Sequence, residues 1–330
     1  MLQALLILCA PLAVPPADAP HDDGAGPAAV RALTLPRAES AGAVRVAPGV
    51  LSGRRNDYNL SVDAAGRRLV FARSDAEFAN SRIWVAEHGA AGWSLPREAS
   101  INVAGEASSD PWLTPDGRTL YFVSSRPAPG RDPARKDLDI WRVVIDDGGG
   151  FGVPERLGPE VNGDRDELGP ELHDGWLYFG SSRPGGPAPF SIYRARAKGD
   201  GTFLPAEALP KVVNAGRAQG DPTFSPKGDV MVFWRLRDGS GDGDLYALRR
   251  DATGWVGEAV RLPAPFSSPG FDFTPSFTAD GTGLYFASDR RPEGGDETGP
   301  DAGGLSDVYI APTSELYRLL GGAAAAPPKR

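Results

Sequence analysis

One pattern is written five times along this chain of 330 residues, at intervals of roughly fifty to sixty residues, the period of propeller blades. Each copy opens with a short inner strand, at residues 59–62, 111–113, 170–172, 222–224 and 275–277. A turn follows, marked by Gly66, Gly117, Gly175, Gly228 and Gly281. Next comes an apolar strand with an aromatic near its end: Leu69-Val70-Phe71, Leu120-Tyr121-Phe122, Leu177-Tyr178-Phe179, Met231-Val232-Phe233 and Leu284-Tyr285-Phe286. Runs this bulky and β-branched fit strands covered on both faces. The third strand carries an aliphatic–aromatic pair: Ile83-Trp84, Ile140-Trp141, Ile192-Tyr193, Leu245-Tyr246 and Val308-Tyr309. These aromatics recur in register, so they read as core packing rather than a sugar-stacking surface.

Four copies add a fourth strand starting near Trp93, Phe151, Phe203 or Trp255. Four short antiparallel strands per copy make a propeller blade. The fifth copy lacks its fourth strand. The missing piece lies at the other end of the chain, where Gly42-Ala43-Val44-Arg45-Val46 and then Leu51-Ser52-Gly53 resemble Glu258-Ala259-Val260-Arg261-Leu262 and then Ser268-Pro269-Gly270. The N-terminal strand is therefore expected to complete the last blade, because an open ring would leave edge strands exposed. The expectation is an all-β, five-bladed propeller over residues 42–313. A short helix near 314–320 and a disordered tail complete residues 314–330.

The quoted motifs resemble the TolB-type, WD-repeat-like β-propeller family. The carrying residues are Pro111, Pro115-Asp116-Gly117, Tyr121-Phe122, Ser125-Arg126-Pro127 and Asp139-Ile140-Trp141, repeated by Pro222, Pro226-Lys227-Gly228, Asp289-Arg290 and Asp307-Val308-Tyr309. The likeness runs from about Ala43 to Pro312. It implies a ring that is commonly six-bladed, so six blades are the alternative to the five counted here. The family includes periplasmic proteins that work by binding other proteins, and similar blades occur beside peptidase and carbohydrate-active domains. No α/β-hydrolase or peptidoglycan-binding segment accompanies the blades here, so neither of those roles is expected to transfer.

Residues 2–14 are apolar and too short to span a bilayer, so residues 1–19 read as a signal peptide. Residues 20–41, rich in Pro, Ala, Gly and acid, read as a flexible linker. A periplasmic or secreted location follows, with no transmembrane span. The net charge is −8, and no run of Lys and Arg is present, which argues against nucleic acid as a partner. Cys9 is the only cysteine, which excludes an intrachain disulfide and makes a structural zinc site an unpromising reading.

Strand alternation puts two loop sets on one face of a propeller: those joining the fourth strand of a blade to the next blade, and those joining second to third strands. Asp57, Glu167 and Asp272 fall in the first set, each three residues before the inner-strand Pro or its equivalent. Ser108 and Gln219 hold that place in the other blades, with Asp110 and Asp221 two residues on. In the second set Arg126, Arg183, Arg237 and Arg290 stand four residues past the strand aromatic. Blade one has Asp75 there and Arg73 two residues earlier. These charges read either as ion pairs between blades or as a ring that binds a ligand. Calcium would suit such oxygens, but no EF-hand-like spacing occurs, and no cofactor is expected.

Catalytic signatures are missing. His21 lies in the linker, and His88 and His173 belong to the opposite face, so a Ser-His-Asp arrangement is hard to build. No G-x-S-x-G, H-E-x-x-H or P-loop pattern occurs. The reading is an exported, non-enzymatic propeller presenting its loop-bearing face to a protein or glycan. The alternative is a carbohydrate-active enzyme using Asp57, Glu167 and Asp272 as central carboxylates. Geometry discriminates the two: hydrolysis needs two carboxyls flanking a bond about 5 to 10 Å apart, whereas a scaffold pins each acid to an arginine.

Overall fold

A computed structural model of the chain describes residues 33–38, 42–128, 135–290 and 305–321. The expected signal peptide and most of the expected linker and tail lie outside them.

Five antiparallel sheets form a five-bladed propeller, which removes the six-bladed alternative. Blade one comprises β2 (Asn56–Val62), β3 (Arg68–Ser74), β4 (Arg82–Gly89) and β6 (Arg97–Glu98), with β5 (Gly92–Trp93) as an extension of β4. Blade two comprises β7 (Ser108–Leu113), β8 (Thr119–Ser124), β9 (Asp139–Val144) and β10 (Glu155–Arg156). Blade three comprises β11 (Glu167–His173), β12 (Trp176–Ser181), β13 (Ser191–Arg196) and β14 (Glu207–Ala208). Blade four comprises β15 (Gln219–Phe224), β16 (Val230–Leu236), β17 (Gly243–Asp251) and β18 (Gly254–Arg261). Blade five comprises β19 (Asp272–Phe277), β20 (Gly283–Ser288), β21 (Asp307–Pro312) and, from the other end of the chain, β1 (Val44–Arg45).

Closure is therefore by the N-terminal strand. Val44 pairs with Ile310 and Arg45 with Tyr309, and Arg45 reaches the Asp307 carboxylate at 3.2 Å. The five turn glycines all have φ between 63° and 72°, a region that glycine enters without steric cost. Three outer strands are only two residues long and begin after the aromatics that the sequence suggested. Phe151 and Phe203 instead form single bridges to Ile145 and Ala197. A six-residue helix, α1 (Ser314–Leu319), follows the last blade and buries Leu316 and Tyr317.

The end of the linker is not a free tether. Leu33 is only 3% exposed, and it packs with Leu51, Leu60, Leu69 and Phe71 in a cluster that includes Tyr285 and Ile310 of blade five. Leu33 thus packs where blade five meets blade one, the seam that ring closure must seal.

Candidate functional site

Three of the sequence-selected acids are held by arginines. Asp57 meets Arg73 at 2.6 Å, Glu167 meets Arg183 at 2.9 Å and Asp272 meets Arg290 at 2.8 Å. All three carboxylate side chains are 0% exposed. Burial pushes Asp57 and Glu167 up to about 7, against the opposing pull of their arginines.

Each pair lies within one blade, joining its first strand to an arginine in or just past its second strand, and so does not bridge two blades. The same guanidinium also reaches back to the connection arriving from the preceding blade. Arg73 donates to Val50 O at 3.0 Å, Arg183 to Val161 O, and Arg290 to Pro265 O at 2.7 Å.

The arginines do a second job that explains the recurring aromatics. Each lies between the aromatics of the second and third strands: Arg73 against Phe71 and Trp84, Arg126 against Phe122 and Trp141, Arg183 against Phe179 and Tyr193, Arg235 against Phe233 and Tyr246, and Arg290 against Phe286 and Tyr309. Distances from guanidinium carbon to ring centre are 4.5–5.3 Å, within cation–π range.

The fourth blade supplies Arg235 to this set, not Arg237. Arg237 instead lies near Asp242 and Asp244 and bonds Pro269 O and Gly270 O. The sequence carries the signal for this. Where the motif reads Phe-x-Ser-x-Arg, the serine hydroxyl accepts from both the backbone N and Nε of Arg126, Arg183 or Arg290. Where it reads Phe-x-Arg, as at Arg73 and Arg235, the arginine itself occupies the serine's place.

In two blades the acid is replaced. Ser108 Oγ accepts from Arg126 at 3.2 Å. Gln219 instead donates to Phe190 O and accepts from Gly216 N. Burial lowers Arg126 to about 10 and also lowers Arg235.

Two residues beyond this layer lies a second ring. Asn59, Asp110, Gly169, Asp221 and Thr274 occupy equivalent positions and all have φ between 47° and 58°. Each sits at a break in register between first and second strands. Four non-glycine residues at positive φ, one of them β-branched, is a costly arrangement. These residues link the blades circumferentially. Gly169 N donates to Asp110 Oδ2 at 2.8 Å, Asn59 N donates to Thr274 Oγ1 at 3.2 Å, and Thr274 N donates to Asp221. Asn59 Oδ1, shielded from solvent, has no donor among the described residues.

This second ring floors a cavity of about 280 Å³ that opens among the loops of the same face. Its wall is a run of rings in contact: Phe78 with Tyr58 at 5.4 Å, Phe78 with Phe273 at 5.8 Å, Phe273 with Phe271 at 4.8 Å and Phe271 with Trp234 at 5.8 Å. Below the floor the channel narrows to about 30 Å³ between Pro111, Pro170, Pro222 and Pro275.

Asp110 and Asp221 both lie against Gly169. A Cβ at Gly169 would come within 2.0 Å of Asp221 Oδ1, so glycine there lets the two carboxyls share the floor. Asp221 accepts from Trp234 Nε1 at 2.7 Å. Burial raises Asp110 to about 6, and burial together with Asp110 raises Asp221 well above the usual range. Among the described residues no three His, Cys, Asp or Glu side chains converge as a metal site, and no helix is long and apolar enough to cross a membrane.

His173 stacks on Phe224 at 4.5 Å, below the floor, and His88 lies against Trp93. Neither lines the cavity.

The chain resembles solved propellers. An α-L-arabinofuranosidase from Lactobacillus brevis matches with TM-score 0.52 and 14% identity, over 78% of this chain and 91% of that one. A thermostable family-43 glycoside hydrolase matches with TM-score 0.50 and 12% identity, over 86% and 98%. TolB from Acinetobacter baumannii matches with TM-score 0.45 and 16% identity, over 80% of this chain and 56% of its own length. At these identities the first two likenesses bear on the propeller fold alone. No protein-family model and no curated protein sequence matches the chain.

Proposed function

We propose that this chain is an exported, non-catalytic binding propeller that takes its ligand in the aromatic-walled cavity at the mouth of its channel. The cavity itself carries the reading: concave, mostly apolar and with a few convergent polar groups, it has the form of a ligand site. The acids that sequence spacing selects cannot play that part, since Asp57, Glu167 and Asp272 are sealed beneath arginines. Protein or glycan remains the partner class that a loop-bearing propeller face suits, with the ligand group entering this cavity.

The glycosidase alternative gains one specific support. Asp110 and Asp221 are two carboxyls with raised pKa in a cavity, as an acid catalyst requires. Their placement disfavours it. Hydrolysis needs the two groups to flank the scissile bond, whereas these lie side by side against Gly169, on one side of any occupant.

The test is a screen of glycans and peptides against wild type and Ala76→Trp. Ala76 is an exposed residue on the cavity rim, so the larger side chain should obstruct the mouth at an unchanged melting temperature. The reading expects capture by wild type and loss in the variant. Capture that survives obstruction would place the ligand elsewhere. Turnover of an aryl glycoside that vanishes in Asp110→Asn and Asp221→Asn would replace binding with catalysis. Export is checked separately by N-terminal mass spectrometry of protein from the producing cell, where an intact Met1 on cytoplasmic protein would refute it.

A further inference from the structure

The charge balance of this cavity is one-sided. Asp110 and Asp221 stand on its floor and Asp289 on its side, and no Lys, Arg or His is among the described residues that line it. The described side chains that line the cavity around the carboxyl pair are neutral or acidic. Tyr58 comes from β2, Ser109 from β7, Trp234 from β16 and Thr274 from β19, with Asp289 just past β20. Glu171 of β11 lines the narrow channel below. Three buried acids of the loop layer, Asp57, Glu167 and Asp272, by contrast each have a guanidinium within 3 Å.

The donors that reach the floor come from the framework: Gly169 N, Trp234 Nε1 and Thr274 N. They fix the carboxyls in place without neutralising them. Above them the wall offers the faces and edges of Tyr58, Phe78, Phe271, Phe273 and Trp234. Aromatic faces attract a poorly hydrated cation, and a carboxylate beneath adds a Coulombic partner in a site screened from water. A hard metal ion would need many more oxygens than two carboxyls and an amide supply.

We propose that the cavity is a site for a small organic cation, a primary or quaternary ammonium whose charged head sits over Asp110 and Asp221 with its carbon substituents against the aromatic wall. This rests on the reading of the cavity as the ligand site and names the chemistry of what enters it. A volume of about 280 Å³ lies at the small end of the roughly 300–1,000 Å³ typical of ligand pockets, enough for an amine of a few carbons.

Without the cation, the two adjacent carboxyls hold protons to higher pH than ordinary aspartates do. Binding of the ammonium ionises the pair and releases a proton to solvent. Affinity therefore rises with pH. Binding should be tighter at about pH 7 than at about pH 5.

The experiment is calorimetric titration of the full chain with choline and with n-butylammonium, each beside its neutral carbon analogue, and with calcium chloride. Choline has no titrating group near neutrality, so its pH dependence reports the protein. The expected result is binding of at least one ammonium and none of its neutral analogue, with the stated pH trend and proton release. Asp221→Asn should weaken it at least tenfold. Because that variant could also disturb the floor, Phe78→Leu serves as a second probe. It keeps an apolar side chain in a half-buried loop position and should weaken ammonium binding by a few-fold. Equal binding of cation and neutral analogue, binding of calcium alone, or no binding of either ammonium would each overturn the proposal. If glycan or peptide capture through the cavity persists in those cases, the binding-propeller reading stands without it.

Discussion

Arg183 holds the fully buried carboxylate of Glu167 at 2.9 Å, and both residues belong to one blade. The guanidinium is also 4.9 Å from the centre of the Tyr193 ring and donates to Val161 O. One side chain thus ties the first, second and third strands of a blade to the segment leading in from its neighbour. A tie of this kind is structural, and its loss is read in stability.

Arg183→Ala should cost roughly 3–5 kcal/mol, because it leaves a buried acid without its partner. Glu167→Gln should cost less, since it buries no charge and its one amide oxygen keeps an acceptor for either Gly163 N or Ser181 Oγ, which bond to different carboxylate oxygens. Urea unfolding of the two variants measures both. A Glu167→Gln protein with unchanged stability and lost ligand capture would give Glu167 a functional part instead.

Arg235 and Arg237 separate by environment although only one residue stands between them. Arg235 lies 4.5 Å from the Tyr246 ring centre and bonds Val213 O at 2.8 Å. Arg237 is a quarter exposed and its ion pairs are at 3.3 and 3.7 Å. Arg235→Ala should lower the melting temperature by several degrees, comparably to Arg73→Ala. Arg237→Ala should cost about 1 kcal/mol or less, as exposed pairs do.

Ring closure depends on both β1 and the residues before it. Deleting residues 42–46 should expose the β21 edge, and the protein should aggregate or melt earlier. Leu33→Asp should also destabilise, by about 2–4 kcal/mol, because it buries an unpaired charge at the seam. Removal of residues 1–30 should leave the melting temperature unchanged. Thermal melts of the three forms check this, and a stable Leu33→Asp variant would show that the segment contributes nothing to closure.

Glu171 provides a pH test. Its Oε1 accepts from Phe224 N of the next blade at 2.8 Å, and burial raises its pKa to about 7. The folded state therefore prefers the proton. That stabilising contribution is complete below the unfolded value of about 4.5 and is lost as pH rises through about 7. Gln at this position keeps the acceptor and has no proton to lose. Glu171→Gln should match wild type near pH 4 and exceed it near pH 8 by on the order of 1–3 kcal/mol. A difference that does not change between those pH values would contradict the assignment.

The blade count and the closing strand were legible because each blade is a local object. Its turn glycine, its apolar strand and its aliphatic–aromatic pair follow one another within about sixty residues, so strand period and turn chemistry report them directly. Even the Arg73 and Arg235 exception is written as Phe-x-Arg against Phe-x-Ser-x-Arg. The spacing that selected Asp57, Glu167 and Asp272 found the loop layer but could not tell that arginines seal it. Burial is a property of the assembled ring. The cavity is further from the sequence still. Asp110 and Asp221 stand in blades two and four, and both come up against blade three's Gly169, which has no side chain to hold them apart. The blades are readable from local sequence, since their contacts are between neighbouring strands. Which acids face the cavity is not readable that way, because it depends on contacts made between blades around the axis of the assembled ring.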